Sequence, residues 1–221
     1  MWPALEETPR RGFITRMAAG AAALAVGDWS VASAEAPTFA LSGVVGDEWL
    51  SRIKGKHKQY FDVTSPHPFG LAFGLNYLDS AKDALKLTDK DFTAVVGFRH
   101  FSMPLALNDA MWSKYKIGEV IDVKDAKTGA PATRNIFHGD IPLHPGITYE
   151  QAMTQRGLVV VACNMALTVL SGMAAPKAGI SAEKAKAEWS ANLLPGVYLA
   201  PSGVYAVNRS QEAGCTYCYA G

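Results

Sequence analysis

One apolar run constrains the fold of this chain more than any other feature. Residues 158–162 read LVVVA, directly after Gly157, and the run ends at Cys163 and Asn164. A continuous run of apolar, mostly β-branched residues is typical of a strand that helices cover on both faces. Strands of this kind belong to parallel sheets, so the run predicts an α/β domain.

The rest of the chain alternates strand patterns with helix patterns. The other four predicted strands cover residues 58–64, 92–98, 197–200 and 215–219. Helices are predicted between them, with Ser181 and Ser202 as N-caps and Gly214 as a helix terminator. Five strands with intervening helices predict a flavodoxin-like three-layer sandwich around a mainly parallel sheet of order 2-1-3-4-5.

The predicted strand order also predicts the place of a functional site. Ligands of such sheets bind beyond the carboxyl ends of the strands, where the strand order reverses. In the predicted order this switch lies between strands one and three, which end near His67 and at Cys163. A helix N-terminus or a nearby cation would activate a thiol there. We therefore expect Cys163 to be catalytic, and His67, Arg99, His100 and Asn164 to bind a ligand.

Each of these residues also has a purely structural interpretation. Cys163 can be a small apolar residue at a strand end, since free cysteine is among the most buried residue types. His67 and His100 can cap strands or face solvent. Arg99 can bind an anion through paired hydrogen bonds or form a surface salt bridge.

Short motifs in the C-terminal half resemble the DsrE/DsrF-like sulfur-relay family. They are ACNMAL within residues 157–167, followed by LLPGV, PSGV and AG before an aromatic-rich strand within residues 193–217. The resemblance implies this α/β fold, a homotrimer or homohexamer, and sulfur carried as a persulfide on a cysteine after a central strand. Cys163 matches that position.

Two functions follow from this resemblance and remain open. The first is an exported protein that handles sulfane sulfur as a persulfide on Cys163 and exchanges it with a donor or acceptor protein or small molecule. The second is a non-catalytic subunit that binds a small ligand or cofactor in the same cleft or serves in assembly. The sequence identifies no particular cofactor.

The N-terminal segment has the features of a twin-arginine export signal. Arg10 and Arg11 precede an uncharged, alanine-rich run over residues 17–27. These eleven residues are too few to cross a bilayer, which takes about 20. Residues 32–34 read ASA, a pattern that signal peptidases accept, so we expect cleavage before Glu35 and a periplasmic location.

Composition excludes some classes for the mature chain, residues 35–221, which we expect to form one domain. Over the full 221 residues, 21 basic and 20 acidic side chains nearly cancel and form no basic stripe, which disfavours nucleic-acid binding. After the signal there is no second long apolar segment, so we expect no stable membrane insertion. Residues 120–149 are rich in proline and glycine and predict an irregular insertion that serves as a lid or a subunit contact.

Cys215 and Cys218 form a CxxC pattern near the end of the last predicted strand. Residues three apart in a strand point to opposite faces, so a disulfide would distort the strand. No histidine follows Cys218, so the pattern for covalent haem attachment is absent.

Histidine and aspartate side chains in the insertion are candidate metal ligands. His138, Asp140 and His144 could supply two or three of them. Two histidines six residues apart in a proline-rich loop are a nonspecific pattern, and we assign no metal site from the sequence.

Overall fold

A five-stranded parallel sheet organises residues 46–221, the part of the chain that the computed structural model describes. Its strands are β1 (His57–Val63), β2 (Phe92–Phe98), β5 (Val159–Cys163), β6 (Val197–Ala200) and β7 (Thr216–Tyr219). A separate antiparallel hairpin contains β3 (Asp140–Ile141) and β4 (His144–Thr148). The predicted export signal, residues 1–34, lies outside the described residues.

Seven α-helices accompany the strands within residues 46–221. They are α1 (Phe69–Leu85), α2 (Asp109–Lys114), α3 (Ile117–Val120), α4 (Tyr149–Thr154), α5 (Asn164–Ala178), α6 (Ala182–Ala191) and α7 (Gly203–Glu212). Three 3-10 segments cover Glu48–Arg52, Asp89–Asp91 and His100–Ala106. Among the described residues, no helix has the length and apolar character that a membrane crossing requires.

The helix boundaries follow the capping residues that the sequence predicts. The hydroxyl of Ser181 accepts the amide of Lys184 at 3.3 Å, and the hydroxyl of Ser202 accepts the amide of Tyr205 at 3.2 Å. Gly214 follows α7 with φ of 88°, a left-handed conformation that glycine adopts without strain. Both predicted N-caps and the predicted terminator are confirmed.

The structure confirms the flavodoxin-like α/β sandwich but corrects the order of its strands. The sheet runs β6-β5-β2-β1-β7, with every neighbouring pair parallel. The predicted order 2-1-3-4-5 is wrong, because the third strand of the sheet, β5, pairs with β2 instead of β1. The last strand, β7, takes the free edge of β1. An apolar strand pattern reports burial on both faces, but it does not report which neighbour each edge pairs with.

Two separate cores lie on the two faces of the sheet. Helices α1 to α6 cover the first face, where residues such as Val96, Leu75 and Trp189 pack together. Helix α7 and the 3-10 segment Glu48–Arg52 cover the second face, whose core includes Val95. Because successive strand residues point to opposite faces, neighbouring valines of β2 belong to different cores.

The insertion at residues 120–149 packs against the first core. Beyond the short hairpin it contains little regular structure, as its prolines predict. The side-chain amide of Asn135 is buried and donates to the carbonyls of Leu105 and Leu107 at 2.9 and 2.8 Å. The backbone amide of Asn135 donates to the carboxylate of Asp109 at 2.9 Å. These bonds fix the insertion to the segment that follows β2.

A tight contact joins β1 and β2. The hydroxyl of Tyr60 lies against Gly97, in the space that a Cβ atom at this position would occupy. Tyr60 is fully buried, and its hydroxyl has no hydrogen-bond partner among the described residues. Burial, with a smaller contribution from the charge of Asp62, raises the pKa of Tyr60 above its ordinary value.

We predict that Gly97→Ala lowers the free energy of unfolding by about 1–3 kcal/mol, because the added methyl group overlaps the Tyr60 hydroxyl. Chemical denaturation measures the change. Gly139→Ala is the control, since nothing lies within 4 Å of its Cβ position, and it should change stability by less than about 0.5 kcal/mol. In a Tyr60→Phe background the cost of Gly97→Ala should shrink. An equal cost in both backgrounds would contradict this explanation.

Candidate functional site

The sheet topology opens a crevice between the ends of β5 and β6. Helix α5 follows β5 and packs in the core of the first face, whereas α7 follows β6 and packs on the second face. Connections that leave neighbouring strands toward opposite faces define the switch point of an α/β sheet. The switch therefore lies between β5 and β6, and its prediction between the first and third strands is wrong because the strand order differs.

A cavity of about 330 Å³ occupies this crevice, and we call it the α5–α7 cleft. Most of its lining is apolar: Phe101, Met165, Val169, Leu170, Met173 and Val204. The residues with polar side chains in the lining are Arg99, His100, Cys163 and Ser202. This volume falls at the lower end of the range for small-molecule sites, and a mainly apolar wall with a few polar groups is typical of them.

Cys163 is the junction between β5 and α5. It is the last residue of the strand and the N-cap of the helix, and its Sγ accepts the backbone amide of Ala166 at 3.2 Å. Only 5% of Cys163 is exposed, and it lines the cleft. Helix N-termini favour negative charge on groups at this position. The thiol thus lies where the fold would support chemistry on sulfur.

Arg99 forms a buried ion pair beside the cleft. Its Nε and Nη2 donate to the two carboxylate oxygens of Asp62 at 2.6 and 2.7 Å, and Asp62 is 1% exposed. The hydroxyl of Tyr217 donates to the same carboxylate at 2.7 Å. These hydrogen bonds with Asp62 raise the pKa of Arg99. The paired donors that could bind an anion are therefore already hydrogen-bonded to Asp62. Arg99 forms a salt bridge, as the structural interpretation predicted, but the bridge is buried and not at the surface.

His100 and the start of α7 both depend on the position of Arg99. His100 has φ of 51°, a left-handed conformation that non-glycine residues seldom adopt, and its Nε2 lies 2.5 Å from Nη1 of Arg99. The Cα of Gly203 packs so closely on the Arg99 side chain that a Cβ atom would come within 2.5 Å of it. Arg99 thus forms a wall of the cleft.

His67 and Asn164, also predicted from the sequence, do not line the α5–α7 cleft as the structure describes it. The carbonyl of Gly221 accepts the amides of Thr64 and Ser65 at 2.5 and 3.1 Å. Gly221 therefore occupies the space beyond the end of β1. His67 lies beside Gly221, and burial lowers the pKa of His67. Asn164 is buried as the first residue of α5. Of the five predicted residues, the cleft brings together Cys163, Arg99 and His100.

The two cysteines of the CxxC pattern lie on opposite sides of the sheet. Cys215 belongs to the core of the second face, and Cys218 packs against the core of the first face. Both are free thiols. This arrangement confirms the prediction that strand geometry separates the two sulfur atoms.

The histidines of the insertion make separate contacts. The ring of His138 packs edge-on against Tyr149, with 5.7 Å between the ring centroids. Nδ1 of His144 lies 3.8 Å from the carboxylate of Asp79 on α1. Within residues 46–221, no three histidine, cysteine, aspartate or glutamate side chains gather in an arrangement that could hold a metal ion.

Sequence reasoning missed two features of the site. The first is Asp62, whose signal was a carboxylate within an otherwise apolar end of a strand, where a buried charge requires a partner. The second is the row of Met165, Val169 and Met173, spaced four residues apart on α5. The sequence indicated this row, because the helix has no charged residue before Lys177. A helix that is apolar all round must pack against other groups on every side.

Comparisons with known proteins leave the function to be argued from the site itself. Searches of family models, of curated proteins and of solved structures found no match to this chain. The structure defines a class: an α/β sandwich protein with an apolar cleft at its switch point and a cysteine in that cleft.

We predict that Asp62→Asn lowers the free energy of unfolding by about 2–4 kcal/mol. This loss of stability is slightly smaller than for a fully buried ion pair, because 19% of the Arg99 side chain remains exposed. Asp89→Asn is the matched control, since it breaks the exposed pair with Lys82 and should cost less than about 1 kcal/mol. Urea denaturation of both variants measures the difference. Equal costs would show that the buried pair adds no more than a surface pair.

We predict that Cys215 in the native protein resists alkylation at pH 8. Burial raises the pKa of Cys215 to about 11, so its thiolate fraction is roughly a hundredfold below that of an unperturbed thiol. Iodoacetamide should label Cys218 before Cys215, and labelling at Cys215 should rise with pH up to about 11. Peptide mass mapping measures both rates, with denatured protein as the control. Equally fast labelling of Cys215 and Cys218 in the native protein would contradict this expectation.

Proposed function

We propose that this chain is an exported DsrE-like protein that carries sulfane sulfur as a persulfide on Cys163. One observation carries the proposal: Cys163 lines the α5–α7 cleft, and its Sγ accepts an amide hydrogen at the start of α5. The cleft gives a donor access to a thiol that is otherwise buried. The motifs that resemble the DsrE/DsrF-like family support the same cysteine.

The proposed transfer needs no external oxidant. The thiolate of Cys163 attacks the outer sulfur of a donor persulfide, RS–SH, and a new S–S bond forms as the donor's S–S bond breaks. The donor leaves as the thiolate RS⁻, so charge and electrons balance. The Ala166 amide donates to Sγ and holds the sulfur at the start of α5 for the attack. Transfer to an acceptor thiolate is the same step in reverse.

Export and assembly are part of the proposal and rest on the sequence. The paired arginines and the ASA pattern support transport to the periplasm and cleavage before Glu35. The family resemblance supports a trimer or a hexamer that exchanges sulfur with a partner protein or small molecule.

A second function is favoured by a different observation. The lining of the cleft is mainly apolar, which suits the binding of a small ligand without any covalent step. In this case the protein is a non-catalytic binding subunit, and Cys163 is only part of the wall.

Intact mass separates the two functions. Protein purified from the periplasm without reductant is measured before and after exposure to polysulfide, and again after reduction. We expect a reductant-sensitive gain of one sulfur atom that Cys163→Ser abolishes and Cys218→Ser retains. The same spectrum reports whether residues 1–34 have been removed. An unchanged mass in the wild type, or equal loading of Cys163→Ser, would overturn sulfur carriage and favour the binding subunit.

A further inference from the structure

We infer that the molecule that enters the α5–α7 cleft is small, uncharged and mainly apolar. The inference deepens the proposed function. The identification of this molecule as the sulfur donor rests on that function. Anionic donors such as thiosulfate and inorganic polysulfide would then bind the cleft weakly, so that loading of Cys163 by polysulfide requires an excess of the donor.

Large apolar side chains around the cleft are exposed. Val169 and Met173 are 54% and 55% exposed on successive turns of α5, and Val204 at the start of α7 is 68% exposed. All three line the cavity. Exposure of large apolar side chains to water is unfavourable, and a contiguous exposed apolar patch marks a binding site. The wall of the cleft is thus built for an apolar occupant.

The described lining of the cleft offers no unbalanced charge. Of the lining residues that the structure describes, Arg99 is the only one with a fixed charge, and the buried carboxylate of Asp62 balances it. His100 is held by the same guanidinium. An anion that enters the cleft would therefore give up its hydration without gaining an unpaired cation, which is strongly unfavourable.

The shape of the cleft suits a small molecule. The cleft is a concave volume of about 330 Å³ between two helices, which matches a small molecule. A stable protein interface buries at least about 1,000 Å² over a broad surface. Cys163 is one of the residues that line this volume, so a molecule that fills the cleft lies beside it.

Two dyes that differ by one sulfonate test the inference. N-phenyl-1-naphthylamine is uncharged, and 8-anilino-1-naphthalenesulfonate is its anionic counterpart; both fluoresce more strongly in apolar sites. Titrations use the purified protein and its Cys163→Ser variant, in which no covalent step can occur. We expect the uncharged dye to bind at least about tenfold more tightly than the anionic dye in both proteins, because the sulfonate loses hydration in the cleft.

Val169→Glu places a carboxylate in the wall of the cleft and should abolish binding of the uncharged dye. The matched control is Leu143→Glu, which changes an exposed leucine of the insertion that does not line the cavity and should leave binding intact. Both positions are more than half exposed, so neither variant disturbs the core. Equal affinities for the two dyes, or binding that Val169→Glu leaves unchanged, would overturn the inference.

Light scattering of the same variants tests a second copy of the chain as the occupant. Loss of assembly in Val169→Glu but not in Leu143→Glu, without dye binding to the wild type, would overturn the inference in favour of a subunit interface. Failure of the proposed function is distinguishable. If the protein prefers the uncharged dye but takes up no sulfur, the apolar ligand is supported and the persulfide is rejected. If it takes up sulfur but does not prefer the uncharged dye, the persulfide is supported and the apolar ligand is rejected.

Discussion

The buried carboxylate of Asp62 is the interaction on which the surroundings of the cleft depend. It lies on β1, accepts both paired donors of Arg99 at the end of β2, and accepts the hydroxyl of Tyr217 on β7. Arg99 in turn supports the first residue of α7, where Gly203 leaves room for its side chain. One charge pair thus fixes three strands and a helix start, and its neutrality leaves the described lining of the cleft without an unbalanced charge.

The cleft itself is a product of chain topology. The chain adds β1, β2, β5 and β6 in one direction across the sheet and then returns to place β7 beside β1. Helix α7 makes this return on the face opposite to the other six helices, so α5 and α7 diverge where β5 and β6 end. Cys163 is the last residue before that divergence. The position of the thiol is therefore set by backbone connections, and the identity of the neighbouring side chains decides which molecules reach it.

Local sequence patterns predicted most of the elements and part of the site. Hydrophobic runs and the caps Ser181 and Ser202 predicted the strands and helix starts because burial and capping are local properties. The strand order was mispredicted because edge pairing depends on contacts between distant segments. That error shifted the expected switch point, so His67 was included among the predicted site residues. Asp62, the partner of Arg99, was not predicted. Cys163 remained part of the site despite this error, since β5 flanks the switch point in either order.

The pairing of β1 with β7 joins segments that are more than 150 residues apart, as the contact between Gln59 and Thr216 shows. Such a distant contact forms late in folding, because the chain entropy lost in closing the loop must be offset by contacts that are already in place. Until then β1 presents an unpaired edge, which other chains can extend into an aggregate. Synthesis of the last strand is thus also the step that protects the first one.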